Sequence, residues 1–444
     1  MVSFPNPSSR QKYGGWLSSN PEVLSSFIND LLKLAQEVTL SDTPTQHLPA
    51  VREFKEAIEG DAVMKHLIDD IFLQVSKLNK IWDFETLLTM LDHILPSAPP
   101  YYVTTDSQGK LIAGPIGSPI ESLVVLWSNT MAGYDLFRLP QFNLALKSLL
   151  NAWGRFLSDP NGTSHTALHS GVNGWFGKNA ITEFELGIYP KTFDETYAIP
   201  DVNAEHRGFK TWDAFFTRKL REGVRPVDFA ANKDIIHSPC EGTVCSISYN
   251  VAAYDRFWLK GKKYSLYDML NKNKAMASYF AGGTVYQHLL SCFDYHRWHA
   301  PIDGTIEKIE QVDGSYYAVL LDEDVSADNH TFPPTGTTPY DIMIRCMPYI
   351  SAIATRALVY IKADNPDIGL VCFIAIGMVE ISTCEVTVRG GQRVRAGDEL
   401  GLFHYGGSSS VLVLPPQCKV TFAREAGEGE QVWVNSVIGR VNRR

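Results

Sequence analysis

Apolar residues recur at helical spacing through most of the first 190 positions. Pro21 follows Asn20 at the start of one such stretch, as is typical of a helix N-terminus. A second stretch covers residues 54–75 with a break at Gly60, and a third covers residues 84–94. This part of the chain is therefore predicted to be mainly helical.

A further helix start is predicted where Ser118 and Glu121 stand at the spacing of a capping box, with Pro119 in the first turn. Residues 97–119 are rich in Pro, Gly and Ser, and we expect them to form a connection between helices.

The pattern changes near residues 190–200. Beyond a short helical segment at 212–220, short alternating runs separated by Gly, Asp and Pro are typical of strands. Residues 238–244 and 300–306 share one pattern: a small residue, Pro, any residue, an acid, Gly, Thr and a β-branched residue that opens a strand. The apolar run 369–379 predicts a buried strand.

Residues 391–401 follow the pattern G-x-x-V-x-x-G-D-x-L-G, which is typical of barrel-sandwich domains such as biotinyl or lipoyl carriers. No carrier lysine occupies the expected hairpin, which disfavours a carrier function. The predicted fold class is α+β, with a mostly helical N-terminal extension over residues 1–195 and a β-rich, barrel-sandwich-like domain over residues 196–444.

Composition narrows the range of functions. The formal charge of −9 and the pI of about 5.8 disfavour binding to nucleic acid or to an anionic membrane. The start of the chain lacks the features of a secretion signal, and no apolar run approaches the ~20 residues that span a bilayer. Seven scattered cysteines without a C-x-x-C pair favour reduced thiols. We expect a cytoplasmic protein without stable membrane insertion.

A Gly-Gly-Ser-Ser-Ser run at residues 406–410 lies close to the C-terminus, between an aromatic pair and a strand-like segment. A flexible linker is one interpretation, but too little chain follows for a second folded unit. A tight turn inside a sheet can instead hold a strained backbone, with a hydroxyl next to its own preceding carbonyl. The run is therefore a candidate site at which the chain cuts itself.

Residues 294–301 (DYHRWHAP) concentrate two histidines, an arginine and two aromatic residues in one short stretch. A strand with alternating buried and exposed side chains is one interpretation. A metal site is another, although the sequence pattern indicates no third or fourth ligand. A catalytic pair formed by His296 and His299 is the third.

With these residues in view, the chain resembles the phosphatidylserine decarboxylase family. Residues 296–304 resemble its Tyr-His-Arg-x-His-x-Pro signature, and residues 406–409 resemble its Gly-Ser self-cleavage site. Two further segments match motifs of this family: residues 215–218 with Arg225 and Pro226, and residues 397–403. All these motifs occur in the order that the family shows. The helical extension and residues 380–385 are similar to the soluble fungal branch, which includes L-tryptophan decarboxylases of psilocybin biosynthesis.

The resemblance implies a self-generated catalyst. Ser408 is expected to attack the Gly407 carbonyl, and elimination and hydrolysis then leave a pyruvoyl group at position 408. The resemblance implies His299 as the base. Its partner in the family is an aspartate, where this chain has Glu241, one methylene longer; Asp303 is the second candidate.

Decarboxylation in this family runs through a Schiff base between the pyruvoyl group and an amino acid, without pyridoxal phosphate. His296 is expected to position the substrate or to return a proton to its carbon. Arg297 could hold a carboxylate or lie at the surface. No metal is expected.

The expected substrate is a free aromatic L-amino acid, tryptophan first. The alternatives are phosphatidylserine, and a non-enzymatic binding or scaffold protein on the same fold. The two cleaved chains are expected to stay associated, and the oligomeric state is left open.

Overall fold

The structure, a computed structural model, describes residues 15–40, 46–75, 79–254, 264–321 and 339–442. Helices dominate the first part and recur among the strands later: α1 (Pro21–Thr39), α2 (Pro49–Glu59), α3 (Ala62–Gln74), α4 (Phe84–Ile94), α5 (Pro119–Ser128), α6 (Met131–Leu136), α7 (Pro140–Ser158), α8 (Lys178–Ile188), α9 (Phe193–Thr196), α10 (Trp212–Phe216), α11 (Leu266–Met269), α12 (Lys274–Phe280) and α13 (Pro339–Ile353). Short 3-10 helices occupy Ser164–Leu168, Glu205–Gly208 and Arg424–Ala426.

The strands follow the helical region, apart from one early hairpin. They are β1 (Tyr101–Thr105), β2 (Leu111–Pro115), β3 (Ile235–His237), β4 (Gly242–Tyr249), β5 (Thr284–Leu290), β6 (Arg297–His299), β7 (Gly304–Val312), β8 (Arg356–Ala363), β9 (Leu370–Gly377), β10 (Cys384–Val386), β11 (Arg393–Val394), β12 (Glu399–Phe403), β13 (Ser408–Leu414), β14 (Val420–Phe422), β15 (Gln431–Val432) and β16 (Val437–Val441).

The predicted helix boundaries are largely confirmed. The Asn20 side chain accepts a hydrogen bond from the Glu22 N–H and caps α1, whose first residue is Pro21. The second predicted stretch is broken at Gly60 into α2 and α3. The segment predicted at residues 212–220 is a shorter helix, α10, which ends at Phe216. The Thr211 hydroxyl caps its start by accepting a hydrogen bond from the Ala214 N–H.

The segment predicted as a connection joins α4 to α5, as expected, and it contains the antiparallel hairpin of β1 and β2, which was not predicted. The prediction for residues 118–121 was wrong. The capping box does not form at α5, because the Ser118 hydroxyl donates to the Glu121 carboxylate at 2.5 Å instead of capping the backbone. The N–H groups of Ile120 and Glu121 bind the Glu380 carboxylate, which is distant in sequence.

An eight-stranded antiparallel sheet forms the centre of the second part, in the order β11-β7-β8-β9-β13-β5-β4-β15. Every residue of β13 is buried, since β9 and β5 pair with it on either side. Smaller sheets, β10-β12-β6 and β14-β16-β3, complete the domain. The repeated Pro-acid-Gly segments open β4 and β7, and residues 370–377 form the predicted buried strand.

The two faces of β13 serve two different cores. Leu412 and Leu414 pack inside the β-rich domain, whereas Val411 and Val413 share a core with Trp153 of α7 and other residues of the helical region. The α+β fold class, a helical region followed by a sheet-rich domain, is confirmed. The boundary between residues 195 and 196 stays a prediction.

Candidate active site

Two glycines precede β13 where the chain leaves no room for a side chain. A Cβ atom on Gly406 would lie 2.5 Å from the Val379 carbonyl oxygen and 2.8 Å from the Ser382 nitrogen, and the Gly406 φ of +147° also favours glycine. A Cβ atom on Gly407 would lie 2.6 Å from a Val379 methyl group. The Gly-Ser run is therefore the tightly packed entry to a central strand.

Ser408 opens β13 opposite Leu290 and Gly377, and its side chain is buried. Its hydroxyl has no hydrogen-bond partner among the described residues. The next two serines differ: the Ser409 hydroxyl donates to the His288 carbonyl at 2.6 Å, and the Ser410 hydroxyl lies 3.0 Å from His288 Nδ1. A buried, unpartnered hydroxyl is unusual, and this one belongs to the predicted nucleophile.

The two ring nitrogens of His299 have distinct partners. Nδ1 lies 2.7 Å from the Gly397 carbonyl oxygen, which can only accept, so Nδ1 carries the proton. Nε2 therefore holds a lone pair, which accepts a hydrogen bond from the Tyr295 hydroxyl at 3.1 Å. Burial lowers the pKa of His299 below its usual value. The imidazole is thus a neutral ring with a basic Nε2.

Glu241 lies in a buried ion pair. Its carboxylate accepts a hydrogen bond from Arg225 Nε at 2.6 Å, and the Arg225 guanidinium stacks over the Trp433 ring. Burial raises the pKa of Glu241, and the neighbouring Arg225 opposes that shift. Because the hydrogen bonds of both residues go elsewhere in the described structure, the pairing of Glu241 with His299 stays a prediction.

His296 is fully buried in an aromatic cluster. Its ring centre lies 4.0 Å from that of Phe216 and 5.8 Å from that of Trp16, and both of these rings contact Tyr405. Neither ring nitrogen has a hydrogen-bond partner among the described residues. Burial, followed by the nearby Arg218, holds the pKa of His296 well below its usual value. The ring is neutral here, and its role in proton return stays a prediction.

The two remaining candidates are bound to other groups. Asp303 accepts a hydrogen bond from the Ala396 N–H at 2.9 Å and forms an ion pair with Lys233. Arg297 Nη1 lies 3.0 Å from each carboxylate oxygen of Glu399. In this conformation Arg297 has a structural ion pair as its main contact.

His288, a buried histidine beside the serine run, was not predicted from the sequence as a site residue. Its Nδ1 faces Ser410, its Nε2 lies 3.4 Å from the Ser238 hydroxyl, and burial lowers its pKa to about 3. A histidine at an inward position of the apolar strand at residues 284–290 was the available signal.

The described residues contain no group of three or more His, Cys, Asp or Glu side chains placed to hold a metal ion. Within the same part of the chain, no helix has the length and apolar character required to cross a bilayer.

Two family models match the chain. The model described as phosphatidylserine decarboxylase matches residues 212–440, which contain the turn at Gly406 and both histidines, and a second model of that description matches residues 48–184.

The similar proteins include fungal decarboxylases. The chain is 48% identical to "Decarboxylase iboD" of Amanita muscaria over 80% of this chain and the whole of that protein. It is 35% identical to the L-tryptophan decarboxylase of Psilocybe cubensis over 98% of this chain and 95% of that protein. It is 30% identical to phosphatidylserine decarboxylase proenzyme 3 of Schizosaccharomyces pombe, over 49% of this chain and 20% of that protein.

Proposed function

The chain belongs to the phosphatidylserine decarboxylase family, and we propose that it is a self-cleaving, pyruvoyl-dependent decarboxylase of a free aromatic L-amino acid, tryptophan first. The observation that carries the proposal is the buried hydroxyl of Ser408, which has no hydrogen-bond partner in the part of the chain that the structure describes. It directly follows Gly407, whose carbonyl oxygen is held by the Met378 N–H at 2.8 Å.

Cleavage starts at the Ser408 oxygen. As a base takes its proton, the oxygen bonds to the Gly407 carbonyl carbon, and collapse of the intermediate breaks the bond to the Ser408 nitrogen, which gains a proton. Removal of the Cα proton of residue 408 then expels Gly407 as a carboxylate. Hydrolysis by one water releases ammonia and leaves a pyruvoyl group at the start of a 37-residue chain, residues 408–444.

The residues around position 408 fit such a group, since the serine that forms it is buried and two glycines without side chains precede it. A pyruvoyl ketone supplies a carbonyl that condenses with an amine and takes up the electrons released with CO2.

Three further side chains have proposed roles. His299 is the base for self-cleavage, supported by its neutral ring and basic Nε2. Glu241 orients that base after a rearrangement that releases it from Arg225. His296 positions the substrate or returns a proton to the substrate's carbon. This role is supported by its two buried ring nitrogens, which have no hydrogen-bond partner among the described residues.

The substrate proposal rests on the relatives. Two proteins named L-tryptophan decarboxylase match nearly the whole chain, including the helical region. Proteins named phosphatidylserine decarboxylase proenzyme match about half to three-fifths of it. The phosphatidylserine alternative therefore ranks second. Because all these relatives are named decarboxylases, the non-enzymatic alternative has no support.

The cytoplasmic location and the association of the two chains stay predictions.

Mass spectrometry of the purified, denatured protein tests the cleavage. We expect a 407-residue chain and a 37-residue chain whose mass is lower than that of a serine-started peptide by one ammonia. Ser408→Ala should give one intact chain without activity, whereas the matched Ser409→Ala variant should still be cut. An intact wild-type chain would overturn the proposal.

Release of CO2 tests the substrate separately. The cleaved enzyme is assayed with free tryptophan, tyrosine and phenylalanine, a panel of non-aromatic amino acids, and phosphatidylserine vesicles. We expect the highest kcat/KM with an aromatic amino acid. Turnover of the lipid alone would establish the second candidate instead.

A further inference from the structure

The turn that follows β9 wraps around the carbonyl group of Gly407. The Met378 N–H donates to the Gly407 oxygen at 2.8 Å, and the Ser382 hydroxyl oxygen lies 3.5 Å from the same atom. The Ser382 N–H donates to the Tyr405 carbonyl at 3.0 Å and fixes the distance between the two segments. Two donors therefore converge on the carbonyl oxygen of the proposed cleavage site.

The Ser382 hydroxyl is poised between two acceptors. In the intact chain it donates to the Val379 carbonyl oxygen, and its 3.5 Å separation from the Gly407 oxygen exceeds an ordinary O–H···O hydrogen bond. Attack by Ser408 places a negative charge on the Gly407 oxygen, and a charged acceptor binds a hydroxyl more strongly than a neutral carbonyl does. Rotation of the hydroxyl then transfers its hydrogen bond to Gly407.

We propose that the Ser382 hydroxyl and the Met378 N–H form the oxyanion site for self-cleavage, with Ser382 as a catalytic residue of that step. This inference rests on the proposed function. When the bond between Ser408 Oγ and the Gly407 carbon forms, the carbonyl electron pair moves to oxygen, where the two donors stabilise it. On collapse the pair returns, the bond to the Ser408 nitrogen breaks, and Ser382 resumes its bond to Val379. A donor that strengthens only as charge develops lowers the barrier without stabilising the ground state.

The backbone of this turn is strained. Glu380 and Ser382 adopt φ values of +58° and +48°, in the left-handed region that non-glycine residues rarely occupy. Such strain persists only where surrounding contacts enforce it, and it is common at functional sites.

Glu380 supplies those contacts as a positioning residue. Its carboxylate accepts hydrogen bonds from the N–H groups of Ile120 and Glu121 at 3.1 and 3.0 Å, and the Tyr317 hydroxyl lies 3.2 Å from its second oxygen. The Glu380 N–H in turn donates to the Tyr317 oxygen at 3.1 Å. The start of α5 thereby holds the turn in place, which gives the helical region a part in the chemistry.

The test measures the rate of self-cleavage in freshly synthesised protein. Cell-free translation with a pulse of labelled amino acid is followed over time on denaturing gels for Ser382→Ala, Ser382→Cys and the matched Thr383→Ala, whose side chain is exposed. We expect Ser382→Ala to slow cleavage by roughly 10²–10³-fold and Ser382→Cys, with its weak S–H donor, by less. Thr383→Ala should cleave at the wild-type rate.

Folding is checked on the uncleaved chains. The Ser382→Ala precursor should melt within a few degrees of the Ser408→Ala precursor, which has the same intact backbone. If the melting temperature of Ser382→Ala is much lower, the cleavage rate of Ser382→Cys is compared with that of the wild type instead. A folded Ser382→Cys that cleaves at the wild-type rate then overturns the proposal. Wild-type cleavage by Ser382→Ala overturns it as well. Failure of the wild-type chain to cleave would instead remove the proposed function.

Discussion

The imidazole of His404 is hydrogen-bonded to the Asp213 carboxylate, with Nδ1 2.9 Å from Oδ1. On the other side of the ring, Nε2 lies 2.8 Å from the Glu385 carboxylate. The Asp213 bond is the main reason that the pKa of His404 is raised to about 9. A charged histidine between two carboxylates therefore joins α10 and β10 just before the turn at Gly406.

We expect this cluster to make stability depend on pH. The folded pKa of about 9 exceeds the unfolded value of about 6.5, so the contribution is complete below pH 6.5 and is lost as the pH rises through 9. Because the ring is partly exposed, the loss is on the order of 1–2 kcal/mol. Urea unfolding of the single-chain Ser408→Ala precursor at pH 6 and pH 9 measures it. Adding Asp213→Asn should remove most of this difference, and an unchanged difference would contradict the assignment.

Glu121 gives a second, separable pH effect. Its Oε1 atom has no hydrogen-bond partner among the described residues, and burial raises its pKa to about 7. The folded pKa is above the unfolded value of 4.5, so stability falls as the pH rises through 7. Glu121→Gln in the Ser408→Ala background should reduce the loss between pH 5 and pH 9 by on the order of 2 kcal/mol. The exposed Glu59→Gln serves as the control and should leave the loss unchanged.

Gly406→Ala should prevent normal cleavage. The added Cβ would approach the Val379 oxygen to 2.5 Å, and the backbone would have to leave its φ of +147°. We expect a precursor that cleaves at least roughly 10-fold more slowly and is destabilised by about 1–3 kcal/mol. Gly390→Ala is the matched control, since a Cβ there meets no atom of the described residues within 4 Å. Densitometry of the two chains and thermal melting measure both effects. Equal cleavage of the two variants would show that the turn tolerates a side chain.

The pH dependence of self-cleavage tests His299. Since burial lowers its pKa, the basic form is already dominant at pH 7. The cleavage rate should be flat from pH 7 to 9 and should fall only at pH values below the usual pKa of histidine, where acid protonates Nε2. His299→Asn should abolish cleavage. Tyr295→Phe removes the hydrogen bond to neutral Nε2 and should move the acid limb to higher pH. If the cleavage rate depends on pH in the same way in both variants as in the wild type, the base is a residue other than His299.

Local patterns predicted much of this fold because helices and strands follow local periodicity. The α1 cap at Asn20 and the buried strand at residues 370–377 are of this kind. The cap of α5 was wrong because its acceptor, Glu380, lies 259 residues beyond Glu121. For the site, the sequence predicts Ser408 and His299, which stay predictions, whereas the role proposed for Ser382 depends on a turn that folds back on Gly407. Contacts between residues that are far apart in the sequence leave no pattern in the local sequence from which they could be predicted.

The position of β13 also bears on how long an enzyme of the proposed kind would last. The strand is hydrogen-bonded to β9 and β5, so we expect the proposed cut before Ser408 to leave these ladders in place and to hold the short chain at the centre of the sheet. Once unfolded, however, the two pieces separate, and refolding requires two molecules to meet. The active form is then reached once, through the intact precursor. Its working lifetime is set by the rate of unfolding, a kinetic property, and not by a folding equilibrium.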